Sequence, residues 1–168
     1  MKTLASTLGN DSRPEQSGGR ILLPFTTQAI SRRAFEAAIR LAQAEGATLM
    51  PAFLARVPRN LPLDSPLPAA CEVGMPLLEA VEQRATAERI PVDARVSRGR
   101  TYRDALQRLL AQEQFDRVIV SATDSPRIGL SQEDLAWLLG NVAAEVLILR
   151  PAPDDSRRIS AHALDGHF

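Results

Sequence analysis

The chain has 168 residues, 45% of them hydrophobic, and its 20 basic and 20 acidic side chains give a formal net charge of zero. This length and hydrophobic content suit one compact domain, and the balanced charge predicts no general attraction to nucleic acid or to an anionic membrane. Cys71 is the only cysteine, which excludes an intrachain disulfide and a cysteine-rich zinc site and is typical of a reducing compartment. We therefore expect a cytoplasmic protein.

Neither end of the sequence has the pattern of a folded or membrane segment. Residues 1–10 lack the apolar core of a signal peptide, and no later stretch approaches the roughly 18 consecutive apolar residues of a spanning helix. Residues 1–19 and 152–168 are rich in small polar residues and have no hydrophobic period, which is typical of disorder. We predict a disordered N-terminal tail, one folded domain at residues 20–151, a flexible C-terminal tail and no membrane partner.

The domain begins with a predicted strand, Ile21–Phe25, whose continuous apolar run is typical of a parallel sheet covered by helices on both faces. A helix should follow, because apolar residues recur at three- and four-residue spacing from Ile30 to Ala42 and Gly46 provides a stop. The second predicted strand is Thr48–Val57. Pro51 within it would remove a hydrogen-bond donor, which indicates an early bulge or an open edge on that side.

A long proline-containing loop comes next. We interpret it as an insertion, with a lid over a ligand crevice as the alternative; its prolines are Pro58, Pro62, Pro66 and Pro68. An apolar stripe from Leu77 to Ala85 predicts the second helix. Apolar and charged residues alternate in Val92–Val96, which predicts a half-exposed third strand at a sheet edge.

Two capping boxes predict the starts of the third and fourth helices, because in each a hydroxyl residue stands three positions before an aspartate: Thr101 with Asp104, and Ser131 with Asp134. Gly140 and Asn141 should end the fourth helix. Apolar runs at Val118–Val120 and Val146–Leu149 predict the last two strands. Five strands that alternate with four helices require right-handed crossovers, so we predict an open, doubly wound, Rossmann-like α/β fold with a parallel sheet.

The first strand and helix resemble the start of the universal stress protein family, in which an apolar strand precedes V-D-G-S and a helix of pattern S-x-x-A-[LF]-x-x-A. The helical half fits at Ser31, Ala34, Phe35 and Ala38. The resemblance spans about residues 20–151 and implies the strand order 3-2-1-4-5. It also implies a homodimer in which the last strand pairs with its twin through Val146, Leu147, Ile148 and Leu149.

The resemblance does not extend to the residues that bind ATP in the ATP-binding members of the family. Thr26 stands where those members carry an acidic residue that recognises adenine. Ala122 and Ser125 stand where the first glycines of G-x2-G-x9-G-[ST] belong. Glu133 and Asp134 place negative charge at the helix start that would meet the phosphates. We therefore expect no bound ATP and no other cofactor.

In the implied strand order, a ligand would lie in the crevice at the carboxyl ends of the first and fourth strands. The resemblance adds a glycine near the ribose and a second-strand position near the adenine, and two arginines could replace lost positive charge. The candidate binding residues are Thr26, Thr27, Leu54, Gly99, Arg100, Ala122, Thr123, Asp124 and Arg127. Loop capping and surface exposure explain the same residues. An adenine nucleotide with fewer phosphates, or another small metabolite, is the alternative hypothesis.

The sequence contains no recognisable catalytic or metal-binding set. His162 and His167 lie in the predicted tail without a neighbouring cysteine or acidic pattern. Ser121 and Ser125 follow a strand, but the G-x-S-x-G turn is absent and the domain has no histidine to activate either hydroxyl. We therefore expect a non-enzymatic, dimeric regulatory or interaction module in stress response, whose protein partner is unidentified.

Overall fold

The structure is a computed structural model that describes residues 18–26, 30–122, 130–150 and 158–159. Within these residues four helices alternate with five strands, and two further strands of two residues each are present. The elements are β1 (Arg20–Phe25), β2 (Ile30–Ser31), α1 (Arg32–Glu45), β3 (Thr48–Arg56), α2 (Pro68–Ala87), β4 (Arg95–Gly99), α3 (Tyr102–Gln112), β5 (Arg117–Ser121), α4 (Gln132–Asn141), β6 (Glu145–Leu149) and β7 (Arg158–Ile159).

Five of the strands form one parallel sheet. Their order is β4-β3-β1-β5-β6, and every neighbouring pair is parallel. Counted along the chain among these five strands, this is the predicted order 3-2-1-4-5. The predicted α/β fold class is confirmed, and β4 and β6 form the two edges of the sheet.

The sheet is covered on both faces because side chains alternate along each strand. Ile21, Leu23 and Phe53 pack with α1 and α2, whereas Leu22 and Leu54 pack with α3 and α4. We call these two layers the α1/α2 core and the α3/α4 core. A strand that is buried on both faces must be apolar at every position, which explains the continuous apolar run of β1.

Pro51 lies in an interior strand, and its effect differs from the predicted bulge or open edge. Leu49 pairs with Val92 in an isolated bridge, and the ladder resumes where Ala52 pairs with Arg95. The difference between the paired residue numbers is the same before and after Pro51, so neither strand contains the extra residue that a bulge inserts. The backbone N–H and C=O groups of Leu49 face the β4 side of the strand. Pro51, two residues later, faces the same side, but its nitrogen carries no hydrogen and cannot donate a hydrogen bond. The ladder is interrupted at that point.

This interruption explains an error in the predicted third strand. We predicted Val92–Val96, whereas β4 is Arg95–Gly99 and only the bridge at Val92 remains of the earlier part. The predicted edge position of this strand is confirmed.

Three helices begin at hydroxyl residues that accept a hydrogen bond from the amide three positions later: Ser31 at 3.4 Å, Thr101 at 3.0 Å and Ser131 at 3.1 Å. Ser131 and Asp134 form the predicted reciprocal capping box. At α3 the second half differs, because the Asp104 carboxylate accepts from the Arg100 amide at 2.7 Å. At the end of α4, Gly140 and Asn141 are the last two helical residues.

A second, two-stranded sheet was not predicted. Ile30 and Ser31 pair antiparallel with Ile159 and Arg158. The predicted flexible C-terminal tail therefore includes two residues that form a strand beside the start of α1. Residues 1–17, 151–157 and 160–168 lie outside the described residues.

Two helical glycines provide a test of core packing. A Cβ atom at Gly74 of α2 would lie 2.3 Å from the fully buried Phe53 ring, so we expect Gly74→Ala to lower the free energy of unfolding by about 1–2 kcal/mol. A Cβ atom at Gly140 of α4 would meet no described atom within 4 Å, and Gly140→Ala should raise the free energy of unfolding by about 0.5–1 kcal/mol. Urea denaturation measures both, and equal stability of the two variants would contradict the proposed packing of Gly74.

Candidate functional site

The candidate site is the edge of the sheet at which β1 and β5 end. From β1 the chain passes through α1 to β3 on one side, and from β5 it passes through α4 to β6 on the other. The two connections leave in opposite directions, which opens a crevice between the strand ends. The helices that follow β1, β4 and β5 also begin at this carboxyl edge.

Thr26 and Ala122 directly follow the ends of β1 and β5 at this crevice. β1 and β5 pair in parallel, Ile21 with Arg117 and Leu22 with Val118, so the two strands end at the same edge of the sheet. Thr26 is 3% exposed. Four other predicted binding residues lie outside the described residues: Thr27, Thr123, Asp124 and Arg127.

Ser121 is a feature of the crevice that was not among the predicted binding residues. It is the last residue of β5, and its Oγ is buried without a hydrogen-bond partner among the described residues. A buried hydroxyl without a partner costs about 1–3 kcal/mol. By alternation Ser121 lies on the α1/α2 face, like Ile119. Its place at the end of the fourth strand of the main sheet was the sequence signal available to identify it.

Gly99 and Leu54 have packing roles in the structure. A Cβ atom at Gly99 would lie 2.3 Å from the Ala105 nitrogen, so a residue without a side chain is required where β4 meets the first turn of α3. Leu54 is fully buried in the α3/α4 core. These contacts explain both residues without a ligand, and their ligand roles stay predictions.

Arg100 is directed toward the loop between β3 and α2. Its Nη1 donates to the carbonyl oxygens of Pro58 at 2.5 Å, Leu61 at 2.8 Å and Val57 at 3.5 Å. The predicted function of Arg100 was to supply positive charge to a ligand. In the structure its guanidinium instead holds backbone carbonyls of this loop.

Aspartates of the chain itself occupy the N-termini of α3 and α4, which are positions suited to an anion. Asp104 Oδ2 accepts from the Arg100 amide at 2.7 Å, and Asp134 Oδ2 accepts from the Ser131 amide at 3.1 Å. Arg103 of α3 also binds Asp134, with 2.7 Å between Nε and Oδ1. A phosphate at either helix start would meet a carboxylate.

The pKa of Asp134 reflects these contacts. Burial of the carboxyl group acts to raise its pKa, but the hydrogen bonds from Ser131 and Arg103 and the charge of Arg103 outweigh burial. They lower the pKa of Asp134 below its ordinary value of 3.8. The aspartate is therefore charged at neutral pH.

The described part of the chain contains neither a metal-binding group nor a membrane-spanning helix. It contains no group of three or more His, Cys, Asp and Glu side chains that could hold a metal ion. None of its helices is both long enough and apolar enough to cross a membrane.

Comparison with known proteins identifies the family. Residues 19–153 match the Universal stress protein family. The chain belongs to this family. No curated protein matches the sequence.

Solved structures of universal stress proteins share the fold. A family protein from Burkholderia pseudomallei has a TM-score of 0.60 and 19% identity, over 82% of this chain and 98% of that one. A universal stress protein in complex with cAMP has a TM-score of 0.57 and 21% identity, over 81% and 99%. An Arabidopsis thaliana family protein with AMP bound has a TM-score of 0.55 and 14% identity, over 81% and 94%. At these identities the similarity establishes the fold alone.

Asp134 provides a test of the charge arrangement at the crevice. Asp134→Asn should lower the free energy of unfolding by about 1–2 kcal/mol at pH 7, because charge-assisted hydrogen bonds from Ser131 and Arg103 are weakened. The pKa of Asp134 is lower in the folded state, so its contribution is present above its ordinary pKa and is lost as the pH falls through the lowered value. The difference between wild type and variant should therefore shrink toward pH 2.

Glu133→Gln is the matched control, since Glu133 is an exposed acidic residue in the same first turn of α4. It should change stability by only a few tenths of a kcal/mol. Thermal unfolding from pH 7 to pH 2 measures both variants. A Glu133→Gln effect as large as that of Asp134→Asn would contradict the assigned contacts.

Proposed function

We propose that this universal stress protein is a non-enzymatic regulatory or interaction module in stress response, that it acts in the cytoplasm as a homodimer paired through β6, and that it does so without bound ATP. An unidentified regulatory protein is its further partner. The observation that supports dimerisation is the difference between the two edges of the sheet.

The β6 edge is apolar, and no strand among the described residues pairs with its outer side. Glu145 donates to the Asp116 carbonyl at 2.9 Å, and the Leu149 carbonyl accepts from Ala122 at 2.8 Å. Residues 145, 147 and 149 therefore face β5, and the alternate residues direct their N–H and C=O groups away from the sheet. The side chains of this edge are apolar and only partly buried: Val146, Leu147, Ile148 and Leu149.

The β4 edge carries charge instead. Arg95 and Arg98 are both exposed in this short strand, one on each side of Val96 and Ser97. Charged residues on an edge strand oppose pairing with another sheet. Two copies of β6 in antiparallel contact would instead pair the outward-facing backbone groups and cover the partly buried apolar side chains, as a two-fold interface requires.

The helix starts support the absence of ATP. Asp104 and Asp134 already accept the hydrogen bonds that a phosphate would take at α3 and α4. A triphosphate brings the largest negative charge to this edge and is therefore opposed most strongly.

A substitution on each edge tests the dimer. Ile148→Arg should convert the dimer to a monomer, because it places a charge at the centre of the proposed interface. Val96→Arg, on the opposite edge, should stay dimeric. Native mass spectrometry gives the masses, and far-UV circular dichroism checks that both variants are folded. A folded Ile148→Arg variant that stays dimeric would count against the β6 interface.

The second candidate function is binding of an adenine nucleotide with few phosphates. Two observations favour it: the enclosed hydroxyls of Thr26 and Ser121 at the crevice, and the cAMP and AMP bound to two proteins of the same fold. A monophosphate brings less negative charge toward Asp104 and Asp134 than ATP does. A nucleoside monophosphate is thus the ligand that this crevice would tolerate best.

Substitution of the two hydroxyl residues tests this candidate. Thr26→Val and Ser121→Ala should each weaken AMP binding about tenfold, which corresponds to one lost hydrogen bond. Thr86→Val is the control, because Thr86 lies on the exposed surface near the end of α2. Isothermal titration calorimetry with AMP, cAMP and ATP should show the weakest binding for ATP. If the wild-type protein binds none of the three, this candidate is rejected.

A further inference from the structure

We propose that Arg100 is an anion-sensitive latch that holds residues 57–67, the proline-rich loop, closed against the ends of β3 and β4. The inference uses neither the β6 dimer nor the adenine site. It combines the weak internal bonding of the loop, the anchoring of the Arg100 backbone to α3 and the neutrality of the groups that the side chain holds.

The proline-rich loop has few hydrogen bonds of its own. Pro58, Pro62 and Pro66 lack an N–H donor. The loop forms two successive turns, closed by Leu61 N to Pro58 O at 3.1 Å and by Ser65 N to Pro62 O at 3.2 Å. Its first residue, Val57, is bonded through its amide to the Gly99 carbonyl at 2.8 Å. The turns therefore depend on contacts from outside the loop.

Arg100 provides the outside contact of the first turn. One guanidinium nitrogen donates to the carbonyls of Pro58 and Leu61, the two ends of that turn, and at 3.5 Å to the carbonyl of Val57, which precedes the turn and is buried in the α1/α2 core. The second turn is held differently: Leu63 packs against the α1/α2 core, and Leu67, 9% exposed, belongs to it. Loss of the Arg100 contacts should therefore release the first turn while the second stays packed.

The backbone of Arg100 is anchored to α3. Its amide donates to Asp104 of α3 at 2.7 Å, and the preceding Gly99 lies directly against the α3 backbone. Arg100 thus connects the turn between β4 and α3 to the proline-rich loop. Among the described residues, its side chain is the only one that donates a hydrogen bond to the first turn of this loop. This is the arrangement of a latch.

The held groups are neutral, which makes the latch sensitive to anions. A guanidinium can bind phosphate through two parallel hydrogen bonds in which both partners are charged, whereas in its bonds to the loop carbonyls only the donor is charged. A phosphate group that reaches Arg100 can therefore compete with the three carbonyls. Release of the first turn would uncover the end of β3, which is paired with the end of β4.

Trypsin cleavage after Arg59 measures opening of the first turn, since Arg59 is exposed within it. Arg100→Gln should raise the rate of this cleavage about tenfold, because the side-chain bonds to the turn are lost. Arg98→Gln is the matched control: Arg98 is exposed on β4, two residues before Arg100, and has no side-chain partner in the described part of the chain. Its cleavage rate should equal that of the wild type.

Inorganic phosphate tests the sensitivity to anions. At constant ionic strength, replacement of chloride by phosphate should speed cleavage after Arg59 in the wild type and leave Arg100→Gln unchanged. Hydrogen exchange of the Leu61 amide, read without protease, should show the same pattern. Thermal unfolding checks the fold of the variant, and Arg100→Lys, with a single ammonium group, should give an intermediate rate if the glutamine variant does not fold.

Two results would overturn the inference. An unchanged cleavage rate in Arg100→Gln would mean that Arg100 does not hold the loop. Faster cleavage in Arg100→Gln, together with no effect of phosphate on the wild type, would reduce Arg100 to a structural clamp. Neither readout depends on oligomeric mass or nucleotide binding, so failure of the latch is distinguishable from failure of the proposed dimer or of the adenine site.

Discussion

The rest of the structure depends on the burial of β1 on all sides. Ile21 and Leu22 are both fully buried, on opposite faces of the sheet, while β3 and β5 flank the strand. A parallel strand in this position requires a helix on each face and a crossover to each neighbour. The strand ends and the starts of the crossover helices consequently lie at one edge, where Thr26 follows β1 and Ala122 follows β5.

That shared edge attracts negative charge, and the chain supplies much of this charge itself. Asp104 and Asp134 accept the amides at the starts of α3 and α4, and Arg103 neutralises Asp134 across the two helices. Arg100, a nearby cation, is bound to loop carbonyls. An edge that could hold several phosphates in this fold is thus largely satisfied by internal contacts, which agrees with an interaction module better than with a triphosphate site.

Sequence patterns correctly predicted the features that depend on a single helix or strand. The order of elements, the capping residues Thr101 and Ser131, and the positions of Thr26 and Ala122 directly after the first and fourth strands of the main sheet followed from periodicity, side-chain chemistry and the family's strand order. The third strand was misplaced because Pro51 lies in a different strand and acts on its partner through the ladder. The pairing of β2 with β7 joins segments more than a hundred residues apart, and two-residue strands leave no periodic signal.

The sequence by itself determined the family, the fold class and the loss of the ATP-binding pattern, since each depends on residue types at short spacing along the chain. Only the tertiary structure decided what the candidate residues do. Gly99 accommodates α3, Arg100 holds a loop that precedes it by about forty residues, and Ser121 is enclosed without a described partner. These roles depend on which groups the folded chain brings within hydrogen-bond distance, and spacing along the sequence does not specify such distances.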